Sequence, residues 1–291
     1  MKRTKGEKIF EVFNLLFMVF MVLITVYPIY YVLMASFSDS SALMAQRGLL
    51  LKPVGFSTYA YENVLKNQGV FSGFKNTFII LIVGMIMNLY LTLCGGYFLS
   101  RKNVKWNRLI TFLIMVTMYF SGGIVPSYLV IKTLGMEDTL WSVILPGALS
   151  TYNMIIMRTG FKGIPDALEE AARIDGAGHM TILFKVCVPL LKPTIAVLSL
   201  YAAVAYWNSW FGASIYIHDR ELFPLQLVLR EILILSDTSQ MQAGGGAADA
   251  AALAESLKYA VIVVSSAPIL CLYPFLQRFF EKGIMVGSVK G

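Results

Sequence analysis

The chain has 291 residues, of which 57% are apolar and 14% charged, with a mean hydropathy of +0.68. A soluble domain carries about 25% charged residues, so most of this surface faces something other than water, and a soluble globular or disordered chain is excluded. The net charge of +7 falls in short clusters between apolar runs, which is the placement of topology signals and argues against a nucleic-acid partner.

Six apolar segments follow in order: Val12–Ala35, Phe78–Leu99, Leu109–Ile131, Leu140–Met157, Thr194–Ile217 and Tyr259–Leu276. None contains Asp, Glu, Lys or Arg, and each approaches the ~20 residues of helix needed to cross ~30 Å of hydrocarbon. The first is too long for the ~7–15-residue apolar core of a secretory signal and ends in no small-residue cleavage pattern, so it reads as a retained span. The fold class expected is therefore all-α: a polytopic membrane protein with six transmembrane helices.

Basic residues orient the spans. With the N-terminus inside, Lys2, Arg3, Lys5 and Lys8, then Arg101, Lys102, Lys105 and Arg108, then Arg158, Lys162, Arg173, Lys185 and Lys192, then Arg278, Lys282 and Lys290 all lie on one side. These are two thirds of the 24 Lys and Arg. That bias places both termini in the cytoplasm. The expected organisation is a cytoplasmic N-terminus (1–11), a six-span domain (12–280) and a cytoplasmic tail (281–291).

Of the two long outer loops, 36–77 contains a short helical stretch after Ser57, which is a suitable cap. The other, 218–258, carries Gly244-Gly245-Gly246 followed by an alanine run. It reads either as a mobile loop or as a passive connection extended by a helical turn. Cys94, Cys187 and Cys271 are odd in number and scattered, and His179 and His218 are far apart, so neither a disulfide framework nor a metal centre is expected. There is no internal repeat.

The inner loop 158–193 holds the most informative stretch, Gly163-Ile164-Pro165-Asp166-Ala167-Leu168-Glu169-Glu170-Ala171-Ala172-Arg173-Ile174-Asp175-Gly176-Ala177-Gly178-His179. Pro165 suits a first helical turn. Asp166, Glu169 and Glu170 put negative charge at the helix's positive end. Gly176 and Gly178 stop the helix and permit a turn. A second segment, Met180–Val188, leads to Pro189 and Pro193 at the membrane entrance. From periodicity alone, an amphipathic connector lying on the lipid surface and a projecting helix–turn–helix element fit equally well. A DNA-binding helix-turn-helix is disfavoured by its position between two spans.

Glu170-Ala171-Ala172, three residues, Gly176, nine residues and Val186-Cys187-Val188-Pro189 resembles the EAA loop of ABC importer permeases. Valine stands at the two positions where the family pattern has isoleucine and leucine. Asp175-Gly176-Ala177 and Phe184 match the carbohydrate-uptake form, and the tail Gln277–Gly291 is similar to the end of the smaller, maltose-importer-like permease subunit. Thr4–Lys8 and Ser121–Tyr128 are similar to the oligosaccharide group that includes alginate and pectin-fragment importers. The resemblance implies an importer-type permease of a bacterial cytoplasmic (inner or plasma) membrane. Its implied partners are a second permease subunit, two cytosolic ATPase subunits, an extracytoplasmic solute-binding protein, membrane lipid and a sugar or oligosaccharide substrate. Glu170, Ala171, Ala172, Asp175 and Gly176 would form the ATPase-coupling contact.

The chain lacks G-x-x-x-x-G-K-[ST], so it is expected to be a non-catalytic subunit without a cofactor of its own, ATP and Mg being bound by the partner ATPases. Charge-free spans count against an ion-coupled carrier, although an ATP-independent secondary carrier or channel for a small polar solute stays open as the alternative. An intramembrane enzyme would need a nucleophile–base pair or metal ligands within the spans. For a sugar path the suitable groups are aromatic faces and amides: Tyr119, Tyr152, Asn153, Tyr206, Trp207 and Asn208. Each competes with a plainer role as an interface anchor or interhelical bond.

Overall fold

The computed structural model describes residues 5–46, 48–242 and 256–271. Every regular element among them is helical, with one isolated bridge between Ser38 and Phe56. The chain divides into two units, one built from residues up to Gln68 and from Leu229 to Ala267, the other from 69–228 and from Pro268 onward.

In the first unit, α1 (Lys5–Ser36) runs 32 residues, about 48 Å at 1.5 Å per residue. Its large apolar side chains are exposed along nearly its whole length, as expected of a helix whose solvent is lipid. Only at Ala35 and Ser36 does it become buried, where α2 (Ser40–Ala45) begins. Asp39 caps α2, its Oδ1 accepting from the Ser41 and Ala42 amides at 3.1 Å each. Ala35, Leu43 and Leu50 form a small core with Tyr31, Met34, Val54 and Tyr259. The helix expected after Ser57 is α3 (Tyr59–Lys66), and the Ser57 hydroxyl accepts from the Tyr59 amide at 3.3 Å.

The second unit is organised on α4 (Gln68–Ser100), 33 residues long. Polar side chains anchor its N-terminal half: Asn76 Nδ2 donates to the Glu221 and Phe223 carbonyls, and Thr77 Oγ1 accepts from the Leu225 amide at 2.8 Å. Then come α5 (Asn107–Tyr119), α6 (Ile124–Thr133), α7 (Trp141–Ile144), α8 (Thr151–Lys162), α9 (Asp166–Ile174), α10 (His179–Leu190), α11 (Lys192–Trp207), α12 (Phe211–Tyr216) and α13 (Leu225–Gln242). Most of α13, from Leu229 on, and of the last described helix, α14 (Ser256–Cys271), belongs to the first unit. The main core gathers Leu93 and Tyr97 of α4, Met157 and Phe161 of α8, Ile182, Leu183 and Cys187 of α10, and Leu198 of α11.

Several expected spans are not single straight helices. The stretch 109–131 breaks at 120–123, and α5 and α6 meet at 111°. Gly123 sits there at φ +89°, a backbone that residues with a Cβ rarely adopt. Within 140–157, Pro146-Gly147 separates α7 from α8, because proline cannot donate to the helical ladder. The stretch 194–217 ends as a helix at Trp207 and resumes as α12, and α10 meets α11 at 89° next to Pro189 and Pro193. Among the described residues, two helices are long and apolar enough to cross a membrane, or up to four if each bent pair is one span.

The segment 218–258 carries a helix, α13, over Leu225–Gln242. The hydrophobic pattern Leu225–Leu235 lies ahead of the glycines and is what makes it. The run Gly244–Ala252, the end of the sixth apolar segment, the tail 281–291 and the basic residues Lys2, Arg3, Arg278, Lys282 and Lys290 lie outside the described residues.

Candidate functional site

The EAA stretch folds as α9, a tight turn and α10. Pro165 leaves the chain extended (φ −58°, ψ 130°) immediately before Asp166. Asp166 and Glu169 lie in the first turn and Arg173 in the last, each complementing the helix dipole. Gly176 closes the helix at φ +79°, with its amide donating to the Arg173 carbonyl at 3.0 Å and the Ala177 amide to the Ala172 carbonyl at 2.9 Å. This is the left-handed C-terminal turn that glycine favours.

The 100° step of the helix sorts these residues onto two faces. Glu169 is 8% exposed, and Ala172 and Ala177 pack against the main core. Glu170 and Ala171 point outward with Ile174, which is 86% exposed.

Glu169 is held from several directions. Its Oε2 accepts from Arg101 Nη1 just past the C-terminal end of α4, and Cys187 Sγ on α10 donates to its Oε1 at 3.7 Å. The side chains of Arg101 and Glu169 are 17% and 10% exposed. The Arg101 guanidinium lies 4.2 Å over the Tyr97 ring, whose hydroxyl sits 3.3 Å from His179 Nδ1. A buried pair stands only when its remaining groups are also satisfied, and here the ring face and the Tyr97 carbonyl (3.3 Å from Arg101 Nε) complete the guanidinium. The C-terminal end of α4 is fixed in turn by Arg158 Nε, which donates to the Leu99 carbonyl at 3.1 Å, and by Asn107 Nδ2, which donates to the Arg101 carbonyl at 2.7 Å.

A second, exposed pair joins Lys102 Nζ to Asp166 Oδ2 at 2.8 Å. The Lys102 hydrogen bond holds the Asp166 carboxyl below its ordinary 3.8, and Asp166 raises the Lys102 ammonium. Between residues 100–104 and 161–166 an open cleft of about 870 Å³ reaches Glu169, Glu170, Arg173 and His179. Immediately after the turn, Ile182–Cys187 widens into a π-helix, a form that is uncommon and often found at functional sites. Ile182, Leu183 and Cys187 are all buried there.

The contribution of Arg101, Tyr97 and Glu169 does not emerge from the sequence. Arg101 reads as a topology charge and Glu169 as one of three dipole-matching acids, and only their meeting across 68 residues distinguishes them. The available signal was the basic residue immediately ending the second apolar run.

The aromatic and amide residues considered for a sugar path separate. Tyr152, Asn153 and Tyr206 line one cavity of about 560 Å³. Trp207 is 2% exposed and packs against Phe74 and Phe78. Asn208 ends α11 and donates to its own Val204 carbonyl at 3.0 Å. Tyr119, at the end of α5, is 82% exposed. Tyr206 is a wedge: its hydroxyl donates to the Ile144 carbonyl at 3.0 Å, and a Cβ at Gly84 would come within 2.4 Å of its ring.

Helices long and apolar enough to cross a membrane, with a charged helix–turn element tied to the end of α4, define a helical membrane protein. Residues 80–286 match the family of binding-protein-dependent transport system inner membrane components, and the chain belongs to that family. It is 39% identical over 291 residues to protein LplC of Bacillus subtilis (strain 168), covering 100% of this chain and 98% of that one. To the polygalacturonan/rhamnogalacturonan transport system permease protein YtcP of the same organism it is 37% identical over 266 residues, 90% and 91% of the two chains. Among solved structures it is similar to a chain of a bacterial ABC transporter involved in the import of the acidic polysaccharide alginate. There the identity is 31%, the TM-score is 0.86, and 96% of this chain and 99% of that one are covered. The fold is therefore that of an ABC importer permease.

Proposed function

We propose that this chain is one of two permease subunits of an ATP-driven importer for a sugar or oligosaccharide delivered by an extracytoplasmic binding protein. The observation that carries the reading is α9: a rigid helix whose inner face is locked to α4 and α10 while Glu170, Ala171 and Ile174 stay exposed. In an importer that needs ATP yet has no P-loop in this chain, such an element is where two cytosolic ATPase subunits, carrying ATP and Mg, would push. Glu170, Ala171, Ala172, Asp175 and Gly176 form the coupling contact. The rigid connection lets closure of the ATPases bias two states of the spans, as alternating access requires.

In this reading the protein crosses a bacterial cytoplasmic membrane six times, some crossings being broken helices, with residues 1–11 and 281–291 in the cytoplasm. Family membership and the relatives' polysaccharide systems support the substrate class, and Tyr119, Tyr152, Asn153, Tyr206, Trp207 and Asn208 are the candidate path residues. The test is gentle purification of the tagged chain from its native membrane, followed by reconstitution. Co-purification of a second permease and an ATPase, with saccharide uptake that needs ATP and the binding protein, is the expected result. A lone chain that carries solute without ATP would replace the importer with a secondary carrier.

A further inference from the structure

The cavity of about 560 Å³ lies within the second unit, between the middle of α4, the α7–α8 turn, the start of α8 and α11. Its size falls in the ~300–1,000 Å³ range of small-molecule sites. No Asp, Glu, Lys, Arg or His lines it, so it is suited to a neutral polar group and not to an ion.

Nearly all its polar atoms are committed to the protein. Asn88 Nδ2 donates to the Gly147 carbonyl at 3.0 Å, and Asn88 Oδ1 accepts from Asn153 Nδ2 at 3.4 Å. Ser150 Oγ accepts from the Asn153 amide at 3.3 Å, Tyr206 donates to Ile144, and Ser209 Oγ donates to the Tyr206 carbonyl at 2.6 Å. These bonds fix the walls. The exceptions are the Tyr152 and Tyr201 hydroxyls and, within the wall, Asn153 Oδ1. Its residue is 5% exposed, yet no group among the described residues donates to this oxygen, and it is not sealed from the cavity. A buried amide acceptor is stable only when something donates to it. Two half-exposed tyrosines line the same cavity, Tyr152 at 55% and Tyr201 at 45% exposure.

We infer that this cavity is a saccharide subsite in which Asn153 Oδ1 accepts a hydroxyl of one pyranose unit while Tyr152 and Tyr201 pack against the ring's C–H face. The inference rests on the sugar-import reading and deepens it, because it assigns a direct contact to this subunit and gives that contact a chemistry. A lipid chain offers no donor to the amide. With no cation in the lining, the subsite recognises hydroxyls and does not distinguish a uronate from a neutral unit by charge. The pre-set Asn88–Asn153 pair means the acceptor is already oriented before sugar arrives, which lowers the ordering cost of binding.

The test uses the whole reconstituted complex with a binding protein loaded with a defined oligosaccharide, and uptake is normalised to assembled complex. Asn153→Leu removes the acceptor at similar size, and Asn153→Gln keeps both the acceptor and the amide donor type that meets Asn88. Tyr152→Ala removes a half-exposed ring without touching the core, and Tyr152→Phe keeps the ring. The expected result is a loss of at least tenfold in uptake for Asn153→Leu and Tyr152→Ala, with the Gln and Phe versions closer to wild type. Uptake unchanged in both Asn153→Leu and Tyr152→Ala while the wild type imports saccharide overturns the subsite alone. A wild-type complex that takes up no saccharide overturns the import reading and the subsite with it.

Discussion

Replacing Glu169 by Gln removes one charge from the pair that ties α9 to α4 and leaves the Arg101 guanidinium facing a neutral amide, with the Tyr97 ring and carbonyl and the Ser100 hydroxyl as its other partners. Removing one partner of a buried pair costs about 3–5 kcal/mol. Side chains 17% and 10% exposed put this pair near the lower end, about 3 kcal/mol, because residual water screens the stranded charge. At tenfold per 1.4 kcal/mol, that raises the population of an undocked α9 by roughly 150-fold. Cys187 reports on it directly: it is fully buried and its thiol contacts Glu169. With Cys94 and Cys271 replaced by serine, Cys187 in membrane vesicles should resist a small maleimide in the parent. In Glu169→Gln it should label one to two orders of magnitude faster, with transport lost. The double change Glu169→Leu with Arg101→Met should restore protection, since an apolar pair of similar volume is tolerated where a lone charge is not. Labelling and transport both unchanged in Glu169→Gln would refute the clamp.

Gly176→Val places a β-branched residue at φ +79°. No atom lies within 4 Å of the new Cβ, so the cost is backbone strain of about 1–2 kcal/mol or more. ATPase should be lost from the detergent-purified complex, while Gly176→Asn, which tolerates this conformation, should retain it. Asp166→Asn removes only an exposed pair and should leave assembly and thermal stability unchanged. Because Lys102 depresses the Asp166 carboxyl below 3.8, that pair's contribution is intact above this value and is lost only as pH falls through the lower, folded-state value. Its contribution to stability should therefore be flat from pH 6 to 8, and a step in that range at this pair would contradict the assignment. Gly84→Ala sets a Cβ 2.4 Å from the Tyr206 ring and should lower detergent stability by about 1–3 kcal/mol through overpacking. Adding Tyr206→Leu should recover most of it in a thermal-unfolding assay.

The element a partner would touch was legible in the sequence because it is local. Pro165, the acids of the first turn, Arg173 and Gly176 are all read from neighbours three or four residues apart, and α9 with its left-handed end follows. Membrane residence was equally plain, since a run such as Val12–Ala35 without one charge has no stable place in water. Breaks inside apolar runs were harder to see. Hydropathy averages over the residues at 120–123 and 145–150, whereas Gly123 and Pro146-Gly147 act through backbone geometry. Apolar composition alone therefore set where the chain meets lipid, but not how many straight helices cross it.

What only the tertiary structure decided is which of two adjacent glutamates is bound inside and which is presented outside. Glu169 and Glu170 are chemically identical, and the 100° step between them matters only once α4 delivers Arg101 and α10 delivers Cys187 to one side of α9. In the same way Tyr206, Asn153 and Asn208 carry similar hydrogen-bonding groups. Burial gave Tyr206 a carbonyl 62 residues away, left Asn208 bonded to its own helix, and left one oxygen of Asn153 facing open space. Periodicity fixes which residues share a face, but only packing determines what that face meets, because partners distant in sequence leave no local pattern.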